Sequence, residues 1–468
     1  MENQAEKQQR ETGQREIRIM AGNGCLGSGF KEASLRRGIA LKPHVIACDA
    51  GSTDSGPAAL GSGTPKLSRE ACKRDLRLLL LARDALDVPL IIGSCGTSGR
   101  DDGVDWMVAI AEEIAAEEGL HFTLATIKSD QPAAYLQQRW QEGRILPLAG
   151  APAIDAGEWD RSHVVGMMGT EPIEAALRQG AQVVLAGRAS DSALFAVVPV
   201  MQGFDAGLAW HAAKTLECGA ACAVVPAADG MIATIRDDHF DIEPLDLAAR
   251  CTPRGIAAHT LYENANPFLL TEPSGVIDTE HARYSALSER AVRVSGSRFH
   301  PAERYSIKLE GAYAAGYQTV IIGGIRDPHI IRGLDALLPK AQAYFDARIA
   351  DLFQGSLKTG DYDIHYRLYG KDGVLGQAEL QRDEAVHEVG VLITITAPSQ
   401  ALATKIASFV AHVSAHLPVP EYEGIISSIA YPFSPPEIER GASYRFSVNH
   451  VVLPDHPCEM FRTHLMEI

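Results

Sequence analysis

The chain lacks most of the features that would assign it quickly. It carries no basic excess: Asp plus Glu number 59 against 43 Lys plus Arg, a formal net charge of -16. Nothing in that balance offers the electrostatic footprint that nucleic acid or an anionic lipid surface requires. No apolar run reaches the ~18 residues of a membrane span. The opening segment MENQAEKQQRETGQRE has no hydrophobic stretch of the kind a signal peptide needs, and residues 1–16 are expected to form a disordered leader. There is no internal repeat, low-complexity tract or long linker. The eight cysteines are scattered without the pairing pattern of a disulfide framework, so reduced thiols and a cytoplasmic location are expected. Cys218 and Cys222, in LECGAAC, stand four apart on what reads as one helix face; with no second pair, a structural zinc site is not expected and no metal is assigned.

What is present is an alternation. Apolar runs of strand length occur at Ile17, Val45, Leu90, Phe122, His163 and Val183. Between them lie LSREACKRDLRLLLLARDAL, VDWMVAIAEEIAAEEG and QPAAYLQQRWQEG, whose apolar residues recur with the 3.6-residue period of helices packed on a sheet. Strand alternating with helix predicts an α/β fold with a mostly parallel sheet, doubly wound or, alternatively, closed into a barrel. From about Ala336 the pattern changes to mixed strands and helices. This predicts an α/β catalytic domain over 17–335 and a C-terminal α+β domain over 336–468.

The ends of the predicted strands carry the chemistry. Gly22-Asn23-Gly24-Cys25-Leu26-Gly27 is a GxGxxG between a strand and a helix, with Asp49 placed 22 residues after Gly27, roughly where a dinucleotide fold puts its ribose-binding acid. The second turn, DAGSTDSGP, supplies Asp49, Ser52, Thr53, Asp54 and Ser55; the third, GSCGTSG, supplies Ser94, Cys95, Thr97 and Ser98. Two later turns hold Glu171 (MMGTEP) and Arg188, Ser190 and Asp191 (AGRASDSALF). If the strands are neighbours, Asp54, Glu171 and Asp191 become acid–base candidates. Asn23, Gly24, Asp49, Ser52, Thr53, Ser55, Ser94, Thr97, Ser98, Arg188 and Ser190 become candidates for binding an anionic substrate. The plainer alternatives are helix capping for Glu171 and Asp191, a small core role for Cys95, and a salt bridge for Lys308 with Glu310. His259 and Glu263 stand four apart without a third ligand at a recognisable spacing.

Together the segments GNGCLGSGF, ACDAGSTDSGP, GSCGTSG, GMMGTEP, AGRASDSALF, AHTLYENANPF, VSGSRF, KLEGA, GGIRDP, RLYGKDGVLG, HEVGVLITITAPSQ, PFSPPEIERG and RFSVNHVV resemble the acyclic terpene utilisation (AtuA) family, over nearly the whole chain after residue 16. The resemblance implies a place in bacterial catabolism of acyclic terpenes and small organic acids, with a small partner protein encoded nearby in some relatives; it implies no settled reaction. The expectation is a lyase, hydratase or isomerase acting on a small carboxylic acid or its acyl-CoA thioester, as a homo-oligomer, with the cofactor left open. The alternatives are an NAD-dependent oxidoreductase and a binding subunit that needs a small partner protein.

Overall fold

The computed structural model describes residues 15–468 apart from Ala156, Pro226, Glu263, Thr359, Asp383, Pro420, Glu421, Gly424 and Ile425. Most of the expected leader, and Glu263, therefore lie outside the described residues. Two compact units make up the chain: residues up to Tyr313 together with Phe446–Ile468, and Ala314–Arg445. Among the described residues no helix is long and apolar enough to cross a membrane.

In chain order the strands are β1 (Ile17–Ala21), β2 (Val45–Asp49), β3 (Leu90–Gly93), β4 (Thr123–Lys128), β5 (Ile145–Pro147), β6 (His163–Met167) and β7 (Val183–Ala186). There follow β8 (Met231–Ile235), β9 (His239–Pro244), β10 (Leu269–Glu272), β11 (Gly275–Asp278), β12 (Arg283–Ala286), β13 (Val292–Ser295) and β14 (Arg298–Pro301). The last are β15 (Ile307–Ile325), β16 (Asp363–Tyr369), β17 (Val389–Ala397), β18 (Glu437–Val452) and β19 (Arg462–Glu467).

The first unit is built on a ten-stranded sheet in the order β12-β13-β9-β8-β1-β2-β3-β7-β4-β19. Its middle is parallel, through the pairs β1/β2, β2/β3, β3/β7 and β7/β4. Both flanks are antiparallel, through β8, β9, β13 and β12 on one side and β19 on the other. The expectation of a mostly parallel sheet thus holds for the five central strands only. The reason lies in the connections: helices carry β1 to β2 and β2 to β3, whereas β8 and β9 are joined by a tight hairpin that reverses the chain. The path has two ends, so the sheet is open and the barrel alternative falls.

Side chains alternate between the sheet's two faces, as a two-residue period demands. Ile46 and Cys48 enter a core with Leu76, Leu79 and Leu80 of helix Arg69–Leu86 and with Ile110 of helix Asp101–Glu118. Val45 and Ala47 enter another with Ile173 of helix Thr170–Arg178, Phe195 of helix Asp191–Met201 and Trp210 of helix Ala206–Leu216. Covered on both faces, the central strands read as continuous apolar runs. β7 enters between β3 and β4, so its carboxyl end stands beside that of β3. β6, although of strand length and composition, lies outside this sheet and pairs with Lys308–Ala312 of β15.

The second unit, Ala314–Arg445, combines antiparallel strands with helices. Tyr317–Ile325 of β15 pairs with β17, and β17 with β16, all antiparallel. Helices Pro328–Leu352 and Gln400–Ser414 bury Phe345, Ile349, Ile406 and Val410 against Ile393 and Ile395. Asp327 and Ser399 cap them by accepting backbone N–H groups of the first turn.

Leu79 is fully buried, and Gly22 makes room for it: a Cβ on Gly22 would stand 2.5 Å from Leu79 Cδ2. Leu79→Ala is expected to cost about 2–5 kcal/mol in urea unfolding. Leu81→Ala, on the same helix but 37% exposed, should change it by less than about 0.5 kcal/mol.

Candidate active site

Ligands in open α/β sheets bind beyond the carboxyl ends of the strands. Here the turns after β1, β2, β3 and β7 meet there through backbone contacts that glycine alone permits. A Cβ on Gly24 would stand 2.5 Å from the Cys218 carbonyl, one on Gly51 2.4 Å from Thr97 Cα, and one on Gly99 2.1 Å from the Arg188 amide nitrogen. The Leu26 amide donates to the Asp49 carbonyl at 2.7 Å, and that of Arg188 to the Gly99 carbonyl at 3.1 Å. Ser94 and Thr97 take positive φ values of 46° and 79°. That conformation is rare for any residue with a Cβ and strained for a β-branched one, and such strain persists where the surroundings hold it.

At the centre of the turns lies Arg188, 5% exposed. Its Nε donates to Glu310 Oε2 at 2.8 Å, and Nη1 donates to the Ala189 carbonyl at 2.9 Å, Ser94 Oγ at 3.2 Å and Asp191 Oδ1 at 3.3 Å. Burial opposes its charge, but Glu310 and then Asp191 hold the guanidinium firmly protonated. Glu310 shows the converse: burial pushes its pKa up, yet Arg188 and Lys308 bring it down to about 2. Lys308 sits 2.8 Å from Glu310, the salt bridge expected of that pair.

Asp49 and Asp191 are less well compensated. Burial and then the charge of Asp191 raise Asp49 well above the usual carboxylate range, against the pull of Arg188 and the Gly51 amide. Its Oδ2 accepts from that amide at 2.9 Å, while Oδ1 is buried without a hydrogen-bond partner. Asp191 is raised by burial, with Arg188 opposing and Asp54 adding to the rise. These three acids border a cavity of about 320 Å³, together with Ser52, Ser55, Thr97 and Lys66. A wider cavity of about 710 Å³, bordered by His259 and Ala258, shares Gly24, Cys25, Ser28, Cys218 and Tyr262 with it, and the two form one cleft.

A second group of charges meets the cleft through Glu217. The Lys214 ammonium donates to Glu217 Oε1, the Ser192 hydroxyl to Glu217 Oε2, and Ser190 Oγ to Glu272 Oε2 at 2.6 Å. Burial raises Glu217 to about 7 and Glu272 to about 8, although Lys214 lowers both. Beside them, a carboxylate oxygen of Glu217, Sγ of Cys218 and a ring nitrogen of His259 lie within 4.8 Å of one another.

Most of the sequence candidates therefore gather at one place. Asn23 holds the first turn by donating to Gly29 O at 2.7 Å and Ser28 Oγ at 2.8 Å. Thr53 and Ser98 are buried, and Ser52 Oγ accepts from the Asp54 amide at 3.3 Å. Glu171 is set apart: it borders neither cavity, and Tyr305 donates to it at 2.6 Å. Its strand, β6, belongs to a different sheet. Cys95 is fully buried and its thiol is raised by that burial, which suits a core role. Cys218 and Cys222 do not share a helix: that helix ends at Leu216, and Gly219, at φ 55°, turns the chain. The amides of Gly27 and Gly29, where a dinucleotide's pyrophosphate would be sought, both donate to the buried Asp75 at 2.9 Å. Sequence reasoning passed over Lys66, Lys214, Glu217 and Glu272, which stand in no recognisable motif.

Against known families, the model described as acyclic terpene utilisation family protein AtuA matches residues 103–224 and 243–432. No curated protein and no solved structure matches.

Two outcomes follow from the geometry. Gly99→Ala drives a Cβ into the Arg188 backbone and should cost about 3 kcal/mol or more in urea unfolding. Gly180→Ala, at φ 96° with nothing within 4 Å, should cost only about 1 kcal/mol. Glu272 has a folded pKa above its unfolded one, so its contribution is most favourable below about pH 4.5 and is lost as pH rises toward 8. Glu272→Gln should accordingly raise Tm relative to the parent by about 2–4 °C per kcal/mol relieved, with the gain larger at pH 9 than at pH 5. A gain that is the same at both pH values would show that ionisation of Glu272 carries no cost.

Proposed function

The chain belongs to the acyclic terpene utilisation (AtuA) family, and on that premise we propose that it is an enzyme of lyase, hydratase or isomerase type that moves a proton on a small carboxylic acid or its acyl-CoA thioester. The observation that carries this reading is the pair Asp49 and Asp191: one buried and one half-buried carboxyl, each raised in pKa, bordering one cavity and competing for one arginine. Environments that push carboxyls upward are what acid–base catalysis near neutral pH requires. Asp191, hydrogen-bonded to Arg188 and still partly accessible, serves as the base that takes a proton from the carbon next to the substrate carbonyl. Asp49, kept protonated by burial, has Oδ1 unengaged and donates a proton or hydrogen bond to the oxygen on which charge develops. Lys66, with the Ser52–Ser55 turn and Thr97, receives the substrate carboxylate or the thioester's polar end. Asp54, more exposed, adds negative charge that keeps Asp191 basic.

Volume supports a small acid as the reacting part. A cavity of about 320 Å³ accommodates a short acyl group, whereas a coenzyme A moiety would extend through the wider cavity. The hydrogen bonds from Gly27 and Gly29 to Asp75 weigh against a dinucleotide on the first turn, because the amides it would use already serve a protein carboxylate.

The reading is tested by deuterium exchange. Purified protein is incubated in D2O with a panel of short carboxylic acids and their CoA thioesters, and label at the carbon next to the carbonyl is read by mass spectrometry. At least one compound should acquire deuterium. Asp191→Asn should slow that exchange about 10²–10⁴-fold, while Glu171→Gln leaves it within about twofold. Undiminished exchange in both Asp49→Asn and Asp191→Asn would overturn the assignment.

A further inference from the structure

Glu217 and Cys218 close the helix Ala206–Leu216, and His259 is the last residue of the helix Pro253–His259. The two helix ends meet where the cavities join: Cys218 borders both, Glu217 the smaller and His259 the larger. We propose that Glu217, Cys218 and His259 form a zinc site whose fourth position opens into the cleft.

Three observations carry this. The three ligand atoms already lie within 4.8 Å of one another, so a modest closing movement brings them to the separations of a tetrahedral site. His259 is 9% exposed and its Nε2 has no hydrogen-bond partner, although buried ring nitrogens are ordinarily satisfied. The ring also meets the Lys214 backbone carbonyl, which leaves Nε2 as the free ligand atom. An imidazole anchored through one nitrogen to a carbonyl while the other faces an open ligand position is the arrangement of a metal-bound histidine. The backbone, finally, places the thiol. Gly24 has no Cβ and so lets the Cys218 main chain approach within van der Waals limits, and Thr252 caps the His259 helix by accepting from the Gly255 amide at 3.1 Å.

The donor set selects the ion. Thiolate, imidazole and one carboxylate suit zinc, whereas magnesium and calcium take oxygen ligands. On binding, the Cys218 thiol releases its proton to solvent as the Zn–S bond forms. Glu217 carries Lys214 on one oxygen and Ser192 on the other, so coordination displaces one of those contacts. Three protein ligands leave one position for water or a substrate oxygen, the pattern of catalytic rather than structural zinc. The assignment is separate from the proton-transfer reading above, and its test reads metal rather than turnover.

Full-length protein is stripped with a chelator, dialysed, and titrated with Zn2+ against a chromophoric chelator, with elemental analysis of the product. One zinc per chain is expected, bound at least tenfold more weakly by Cys218→Ser and by His259→Gln and unchanged in Cys458→Ser. Co2+ in place of zinc should give a thiolate-to-metal charge-transfer band that Cys218→Ser abolishes. Failure of the parent protein to retain stoichiometric zinc overturns the proposal, as does undiminished, parental affinity in Cys218→Ser and His259→Gln. If Cys218→Ser does not fold, the parent's cobalt spectrum and its change in His259→Gln decide: no charge-transfer band, or a band indifferent to His259, sinks the site.

Discussion

The buried guanidinium of Arg188 is the constraint around which the cleft is arranged. A charge removed from water has to be met by opposite charge and by hydrogen-bond acceptors, or it destabilises the fold by several kcal/mol. Glu310 supplies the charge, while Ser94, the Ala189 carbonyl and Asp191 supply the rest. Those partners come from β15, from the turn after β3 and from the turn after β7, so one side chain draws three chain segments together. Once Arg188 is committed to Glu310, too little positive charge is left for Asp49 and Asp191. Burial raises their pKa values, and that shortage leaves the rise uncompensated.

The second consequence is a cleft with two chemically distinct halves. On one side, hydroxyls and oxygen acids of the β2 and β3 turns border the smaller cavity. On the other, the Cys218 thiol and the His259 imidazole border a wider one, with the Glu217 carboxylate where the two join. Tyr262 and Cys218 belong to both. A ligand occupying the whole cleft would meet hard oxygen donors at one end and softer donors at the other.

Much of this was legible in the sequence, and what was not has physical reasons. The apolar runs at Ile17, Val45, Leu90 and Val183 are strands because both faces of the central sheet are covered, and their turns carry the small polar residues that mark strand ends. Strand order was not legible. Nothing local in VVLA says that it inserts between β3 and β4, and β6 has the same strand character as β7 yet joins another sheet, taking Glu171 with it. The antiparallel flanks were hidden because a hairpin and a crossover differ in connection length, not in strand composition. Among the site residues, Asp49, Asp54, Asp191 and Arg188 announce themselves through their turns. Glu217, Lys214 and Glu272 do not, since each sits in an ordinary helix or strand pattern and gains its meaning only from partners remote in sequence. His259 and Cys218 were each visible, but not that they meet, and Glu217 was passed over.

The parallel core is closed at one side by β19, whose residues pair with β4 across a sequence separation of more than 330; Thr126 and His464, for example, are 338 apart. Until Arg462–Glu467 has been made, β4 presents an unpaired edge whose N–H and C=O groups invite pairing with another chain. During synthesis at about 5–20 residues per second, that edge waits for tens of seconds after β4 itself has emerged. The nascent polypeptide therefore spends most of its translation as an incomplete sheet, and its solubility in that interval rests on whatever temporarily shields β4.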